Sequence, residues 1–183
     1  MVSKADGFVL LNQTLVVDPL PTSAALSFVQ ANDNFDGTKF RVAAGAVVQS
    51  KLVAISQDGN TQAGHADAFE VKISPDSAYL ASVIDATAAA SSVDGEYTFR
   101  FTTKRVLAEG YTVSVTLGSE HVKGSPFQVE VSPGAPSASQ SNIYSGDYGY
   151  DASLGEFGSV AGVGRKFLLQ LRDDYGNDLD QAA

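Results

Sequence analysis

Cysteine is absent from all 183 residues, and this closes several chemistries at once. No disulfide, thiolate metal site or cysteine nucleophile can be built from the chain. The lack tilts the setting weakly towards a reducing compartment, although many extracellular β-sandwiches also do without disulfides. Histidine is nearly as scarce, with His65 and His121 the only two. Both stand in polar loop sequence, whereas a zinc site or catalytic triad needs several groups converging on one point. Basic residues are also few, 12 against 21 acidic, giving a net charge of −9. A phosphate-binding surface needs a basic excess, so nucleic acid is not expected as a partner, and anionic lipid is disfavoured for the same reason. No apolar run reaches the length of a membrane-spanning helix, so direct membrane insertion of this segment is not expected. The first residues lack a basic region followed by an apolar core, so no signal peptide is legible. No carboxylate pair stands in a fixed context either, so catalytic residues, cofactors and a resident metal are all expected to be absent.

What the chain does have is apolar residues at 44% against 18% charged, the balance of a folded rather than a disordered sequence. The apolar residues recur at period two. Alternation predicts strands over Phe8–Val17, Leu52–Ser56, Phe69–Ile73, Tyr79–Ile84, Tyr97–Thr102, Tyr111–Leu117, Phe127–Val131 and Phe167–Arg172. Turn sequences such as DGN, SPDS, VDGE, AEG and GSP separate them. Many short strands without helical periodicity mean an all-β sandwich. Asp85–Ser91, DATAAAS, is the one stretch with helical composition. It is too short to stand alone and reads as a loop or single turn. Phe127, Val129 and Val131 share one strand face, as do Tyr97, Phe99 and Phe101, and Tyr111, Val113 and Val115. Together these faces could build a two-layer core.

The chain also repeats itself. Leu15–Pro19 resembles Val129–Pro133, and the strand ending Asp58-Gly59-Asn60 resembles the one ending Tyr175-Gly176-Asn177. Both landmarks recur about 115 residues apart, which is a module period. It divides the chain into four parts. Residues 1–17 read as the last strand of a preceding module and 18–133 as one complete module. Residues 134–141 read as a short linker, and 142–183 as the opening strands of a following, truncated module.

The ordered motifs resemble the filamin-type immunoglobulin-like repeat. A Gly-x-Tyr-x-Val strand appears as Gly110-Tyr111-Thr112-Val113. A Gly-Ser-Pro-Phe entry into an alternating strand appears as Gly124-Ser125-Pro126-Phe127. Asp94-Gly95-Glu96-Tyr97 matches the middle of the repeat. Val160-Ala161-Gly162 and Arg172-Asp173-Asp174-Tyr175-Gly176-Asn177 match its opening turn and corner. The complete module departs from the pattern, with Ser56 in place of the corner aspartate, Asp58 in place of the aromatic, and added length in Ala31–Phe40 and Asp85–Val93. The resemblance implies tandem immunoglobulin-like sandwiches serving as a non-catalytic structural and protein-interaction scaffold. Its implied setting is cytoplasmic and cytoskeleton-associated, and its implied partners are other proteins, including cytoskeletal ones, and neighbouring repeats. It further implies docking by strand addition beside the third strand. That assigns Phe69, Val71, Ile73 and Tyr79 as candidate protein-binding residues, with the three apolar strand residues equally readable as core. The alternative is an extracellular, cell-surface adhesion segment, since filamin-like repeats also occur in surface proteins. Asn12-Gln13-Thr14, a glycosylation sequon, would bear on that choice.

Two further motifs fall short. Asn32-Asp33-Asn34-Phe35-Asp36-Gly37 resembles the start of a calcium loop, but position twelve is Ala43 rather than glutamate. Gly158–Lys166 suggests a phosphate loop, but its spacing fails and no Ser or Thr follows the lysine. The acidic corner of Asp173, Asp174, Asp178 and Asp180 reads as solvated loop carboxylates.

Overall fold

The structure is a computed structural model that describes residues 20–62, 67–85, 87–144, 150–151, 156–157, 161–162 and 168–179. The predicted strand Phe8–Val17, the sequon at Asn12, His65 and most of Gly158–Lys166 lie outside the described residues.

Ten strands fall between residues 20 and 133. They are β1 (Thr22–Val29), β2 (Lys39–Ala43), β3 (Val47–Ser56), β4 (Phe69–Ser74), β5 (Ala81–Val83), β6 (Ala89–Ala90), β7 (Glu96–Thr103), β8 (Tyr111–Leu117), β9 (Glu120–His121) and β10 (Phe127–Ser132). One sheet runs β1-β3-β7-β5, with β6 also pairing β7; the other runs β2-β10-β8-β4, with β9 pairing β8. Among the described residues, β1 therefore lies in the first sheet and the chain crosses to the second at β2. There β2 lies parallel to β10, from Lys39 opposite Gln128 to Ala43 opposite Ser132. Two facing, mainly antiparallel sheets joined in this order are an all-β immunoglobulin-like sandwich. Four further strands follow: β11 (Asn142–Tyr144) pairs with β14 (Leu168–Gln170), and β12 (Tyr150–Asp151) with β13 (Glu156–Phe157).

Alternation drives the pairing of the sheets. Along β7, β8 and β10 every second residue is buried, and the core holds Tyr97, Phe99, Phe101, Tyr111, Val113, Val115, Phe127, Val129 and Val131. Its densest part is aromatic. Phe40 stacks on Phe35 with ring centres 4.3 Å apart and meets Phe101 edge-on at 5.2 Å. Phe127 meets Phe35 edge-on at 5.1 Å. Such ring pairs add about 0.5–1.5 kcal/mol each beyond the area they bury.

The structure corrects three expectations. The segment from Asn32 to Phe40 is not simply an added loop. Bridges from Asn32 to Phe35 and from Phe35 to Phe40 fold it into a hook that delivers Phe35 to the core. Its apparent calcium-loop carboxylate is already engaged by the protein. Asp36 accepts from the Thr38 hydroxyl at 2.7 Å, the Lys39 and Thr38 amides at 2.8 and 2.9 Å, and the Arg41 guanidinium at 2.6 Å. These bonds, the Thr38 hydroxyl foremost, hold its carboxyl well below the usual range. The Asp85–Ser91 stretch, read as a loop or single turn, contributes the short strand β6 at Ala89–Ala90. The fourth expected strand begins later than predicted, at Ala81, and leaves Tyr79 in the preceding turn.

Gly110 shows why a glycine precedes β8. Its φ is +66°, and a Cβ there would stand 2.6 Å from the Val129 carbonyl oxygen. Both the left-handed backbone and the close approach of β10 require the missing side chain.

Candidate functional site

Phe69, Val71 and Ile73 are all buried, on the face of β4 turned towards the opposite sheet. The physical reason is the same alternation: β4 lies at a sheet edge, but its apolar side chains are core. Glu70, Lys72 and Ser74 face outward. The free edge of β4 is partly covered, since Glu70 bridges to Thr87 and the Ala88 amide donates to the Phe69 carbonyl at 2.9 Å. Tyr79, by contrast, is 85% exposed. It lines a cleft of about 430 Å³ with Ala78, Leu80, Lys104, Arg105 and Tyr175. Tyr175 belongs to the segment 168–179, so the structure brings Tyr79 to the boundary between that segment and the sandwich of residues 20–133, and not to the β4 side chains.

That boundary is the most highly organised polar site among the described residues. It starts from the core of the first module. The Tyr111 hydroxyl, at the start of β8, donates to the Arg105 carbonyl at 2.8 Å and fixes the loop after β7. A tyrosine in this position bonding a few residues upstream is a common corner device of such sandwiches. On either side of the fixed carbonyl, Asn177 takes hold of the same loop. Its Nδ2 donates to the Lys104 carbonyl at 2.7 Å, and its Oδ1 accepts from the Val106 amide at 2.9 Å. The Arg105 guanidinium donates to the Tyr175 carbonyl.

Asp173 organises the corner that presents Asn177. It is 1% exposed and accepts from the Tyr175 and Asn177 amides, both at 2.9 Å. It also accepts from Asn177 Nδ2 and from the Gly134 amide, both at 2.8 Å. Burial pushes its carboxyl upward, but the hydrogen bonds from Asn177, Gly134 and Tyr175 outweigh this and hold it below the usual carboxylate range. The predicted linker is therefore tied down. Gly134 bonds Asp173, Pro136 bridges to Asp173, and the Ser137 amide donates to the Arg172 carbonyl at 2.7 Å. The expected acidic corner divides in the same way: Asp173 is buried, Asp178 accepts from Arg172 Nε at 2.7 Å, and Asp174 is exposed.

Gly45 completes the contact. A Cβ on it would stand 2.4 Å from Cε2 of the Tyr175 ring, and its φ is +83°. Gly45→Ala is expected to destabilise the protein through backbone strain of about 1–2 kcal/mol and through displacement of the ring. A double-mutant cycle separates the two effects: in a Tyr175→Ala background only the strain should persist, so a penalty equal in both backgrounds would show that the ring is not seated on Gly45.

Sequence reasoning found the corner motif but missed its role, because Asn177 grips backbone atoms of Lys104 and Val106, which carry no side-chain signature. Among the described residues no group of three or more His, Cys, Asp or Glu is placed to hold a metal ion. His121 is exposed, with Nδ1 3.0 Å from the Ser125 hydroxyl.

No family model and no curated protein matches the sequence. Solved structures are similar in fold. The Escherichia coli adhesin FdeC is 19% identical with a TM-score of 0.56, over 85% of this chain and 43% of that one. Yersinia pseudotuberculosis InvD is 16% identical with a TM-score of 0.48, over 86% and 44%. The Lin-41 filamin domain is 12% identical with a TM-score of 0.40, over 63% and 97%. At these identities the likeness is one of fold. The chain spans less than half the length of the FdeC and InvD structures it matches.

Proposed function

We propose that the chain is a non-catalytic structural segment of a cell-surface protein of the adhesin kind, in which immunoglobulin-like modules are joined in tandem and held in fixed register by their junctions. The observation that carries this reading is the junction itself. Its most buried carboxylate and its carboxamide are spent on backbone groups of the neighbouring module and linker, which leaves them serving position rather than chemistry. The fold likeness to FdeC, described as an adhesin, extends over 85% of this chain and supports a surface setting over the cytoskeletal one implied by the filamin resemblance. Protein partners are the expected ligands. Strand addition at β4 would have to use its backbone edge beyond the Glu70–Thr87 bridge, because Phe69, Val71 and Ile73 are occupied in the core.

The test is labelling of intact cells with an antibody raised against this chain. The expected result is staining without permeabilisation. Staining that appears only after the membrane is opened would return the protein to the cytoplasm and sink the surface reading.

A further inference from the structure

The chain holds two versions of one corner, and the second, at Asp173–Asn177, reaches the loop of Lys104–Val106. In the second module the Asp173 amide donates to the Asn177 carbonyl at 3.0 Å and the Gly176 amide to the Asp173 carbonyl at 3.0 Å. In the first module the Ser56 amide donates to the Asn60 carbonyl at 2.8 Å and the Gly59 amide to the Ser56 carbonyl at 2.9 Å. Gly176 and Gly59 have φ of +77° and +85°. The backbone corner is thus the same. The side chains differ at three of its positions: Gln57 against Asp174, both exposed, and the two that shape the corner, Ser56 against Asp173 and Asp58 against Tyr175.

Those two differences change which position holds the shared asparagine. In the first corner Asn60 Nδ2 donates to Asp58 Oδ2 at 2.8 Å, and the Ser56 hydroxyl bonds the other oxygen of Asp58. The corner closes on itself. In the second, position 175 is a tyrosine whose ring lies over Gly45, and the carboxylate that steadies the asparagine is Asp173, which accepts from Asn177 Nδ2 at 2.8 Å. Asp173 has acceptor sites enough to hold the turn and the Gly134 amide together, which one serine hydroxyl cannot do. Steadied by Asp173, Asn177 bonds the Lys104 carbonyl and the Val106 amide.

We propose that the loop of Lys104–Val106, with Gly45 and Gly134, is a socket, and that the partner it fits is a following module whose corner reads Asp-x-Tyr-Gly-Asn. Asp173 and Tyr175 are the specificity determinants of the plug. A corner of the Ser-x-Asp-Gly-Asn kind, as at Ser56–Asn60, folds equally well but does not enter such a socket.

The test exchanges one corner for the other. The double variant D173S/Y175D is made in the full chain, and amide hydrogen exchange is followed residue by residue. The Val106 amide should exchange about tenfold faster, the effect of losing a neutral carboxamide acceptor, and the Gly134 amide about ten- to a hundredfold faster, since its acceptor is a carboxylate. The Gly176 amide, whose acceptor is a backbone carbonyl as for Gly59, should keep its protection, as should the core amides of Phe99 and Val113. Unchanged exchange at Val106 and Gly134 would overturn the proposal. So would a joint loss at Gly176, which would make the two residues props of the second module's own fold. The single variant Y175D, which keeps Asp173, covers the case in which the double variant does not fold. It should speed exchange at Val106 more than at Gly134, and no change at Val106 would again refute the assignment.

Discussion

Replacing Phe40 with alanine is expected to remove about 3–5 kcal/mol of stability, the range for deleting a large aromatic from a closed core. Phe40 is fully buried and stands against three other rings, Phe35, Phe101 and Phe127. Phe35 comes from the hook and Phe101 from the opposite sheet, so little can move inward to fill the space. Urea unfolding followed by tyrosine fluorescence measures the loss. A Phe40→Ala variant within about 1 kcal/mol of the parent, the size of an ordinary surface change, would mean that the aromatic centre is not packed as described. Phe35→Ala in the same assay asks whether the hook belongs to the core, and a loss of several kcal/mol is expected there too.

The second large effect lies at the junction and depends on acid. The carboxyl of Asp173 is held below its ordinary range in the folded protein. A group whose folded pKa is depressed contributes stability that is present above its unfolded pKa and lost as pH falls through the folded value. Junction stability should therefore be flat near neutrality and decline below about pH 4, where unfolded aspartate begins to protonate. The Gly134 amide donates directly to this carboxylate, so its NMR shift is the natural reporter. It should titrate with a midpoint below the usual aspartate range. Asp173→Asn should abolish that titration and weaken the junction by about 2 kcal/mol or more, since a buried carboxylate accepting several N–H bonds is replaced by a group that is half donor. A Gly134 shift that titrates identically in the variant would place the responsible carboxyl elsewhere.

The parts of the fold that could be read in advance are those where one strand face is apolar and the other wet. β8 has the predicted bounds, and β7 and β10 extend by a residue or so, because Tyr97, Phe99, Val113 and Phe127 alternate with polar neighbours. β1 escaped because its buried face is made of Ala24, Ser27 and Val29, small residues with little hydrophobic contrast. Ser27 even enters the hydrogen bonding of the sheet, donating to the Ser23 carbonyl at 2.7 Å and accepting from the Ile55 amide at 3.0 Å. β2 escaped because it follows the Asn-Asp-Asn run, whose polarity masks Phe35. The candidate binding residues show the converse: period two placed Phe69, Val71 and Ile73 on one face but could not tell an open face from a closed one. The junction was illegible for a different reason, since the bonds that Asn177 makes to Lys104 and Val106, and Asp173 to Gly134, each have a main-chain partner.

One feature of the first module bears on how it would answer a pull. β2 and β10 are neighbours and run in the same direction, with β10 the last strand of the sandwich and β2 preceded by β1, which pairs with β3. Tension from the N-terminal side meets the β1–β3 pairing first; once β1 yields, it slides β2 along β10, so the bonds between Lys39–Ala43 and Gln128–Ser132 are strained together rather than one after another. Such a shear arrangement resists until the whole row gives way. Phe40, Val42, Val129 and Val131 sit on that same pair of strands with their side chains in the core. A slip there must therefore uncover the hydrophobic centre at the same moment, which makes rupture an abrupt event and the module a latch rather than a zip.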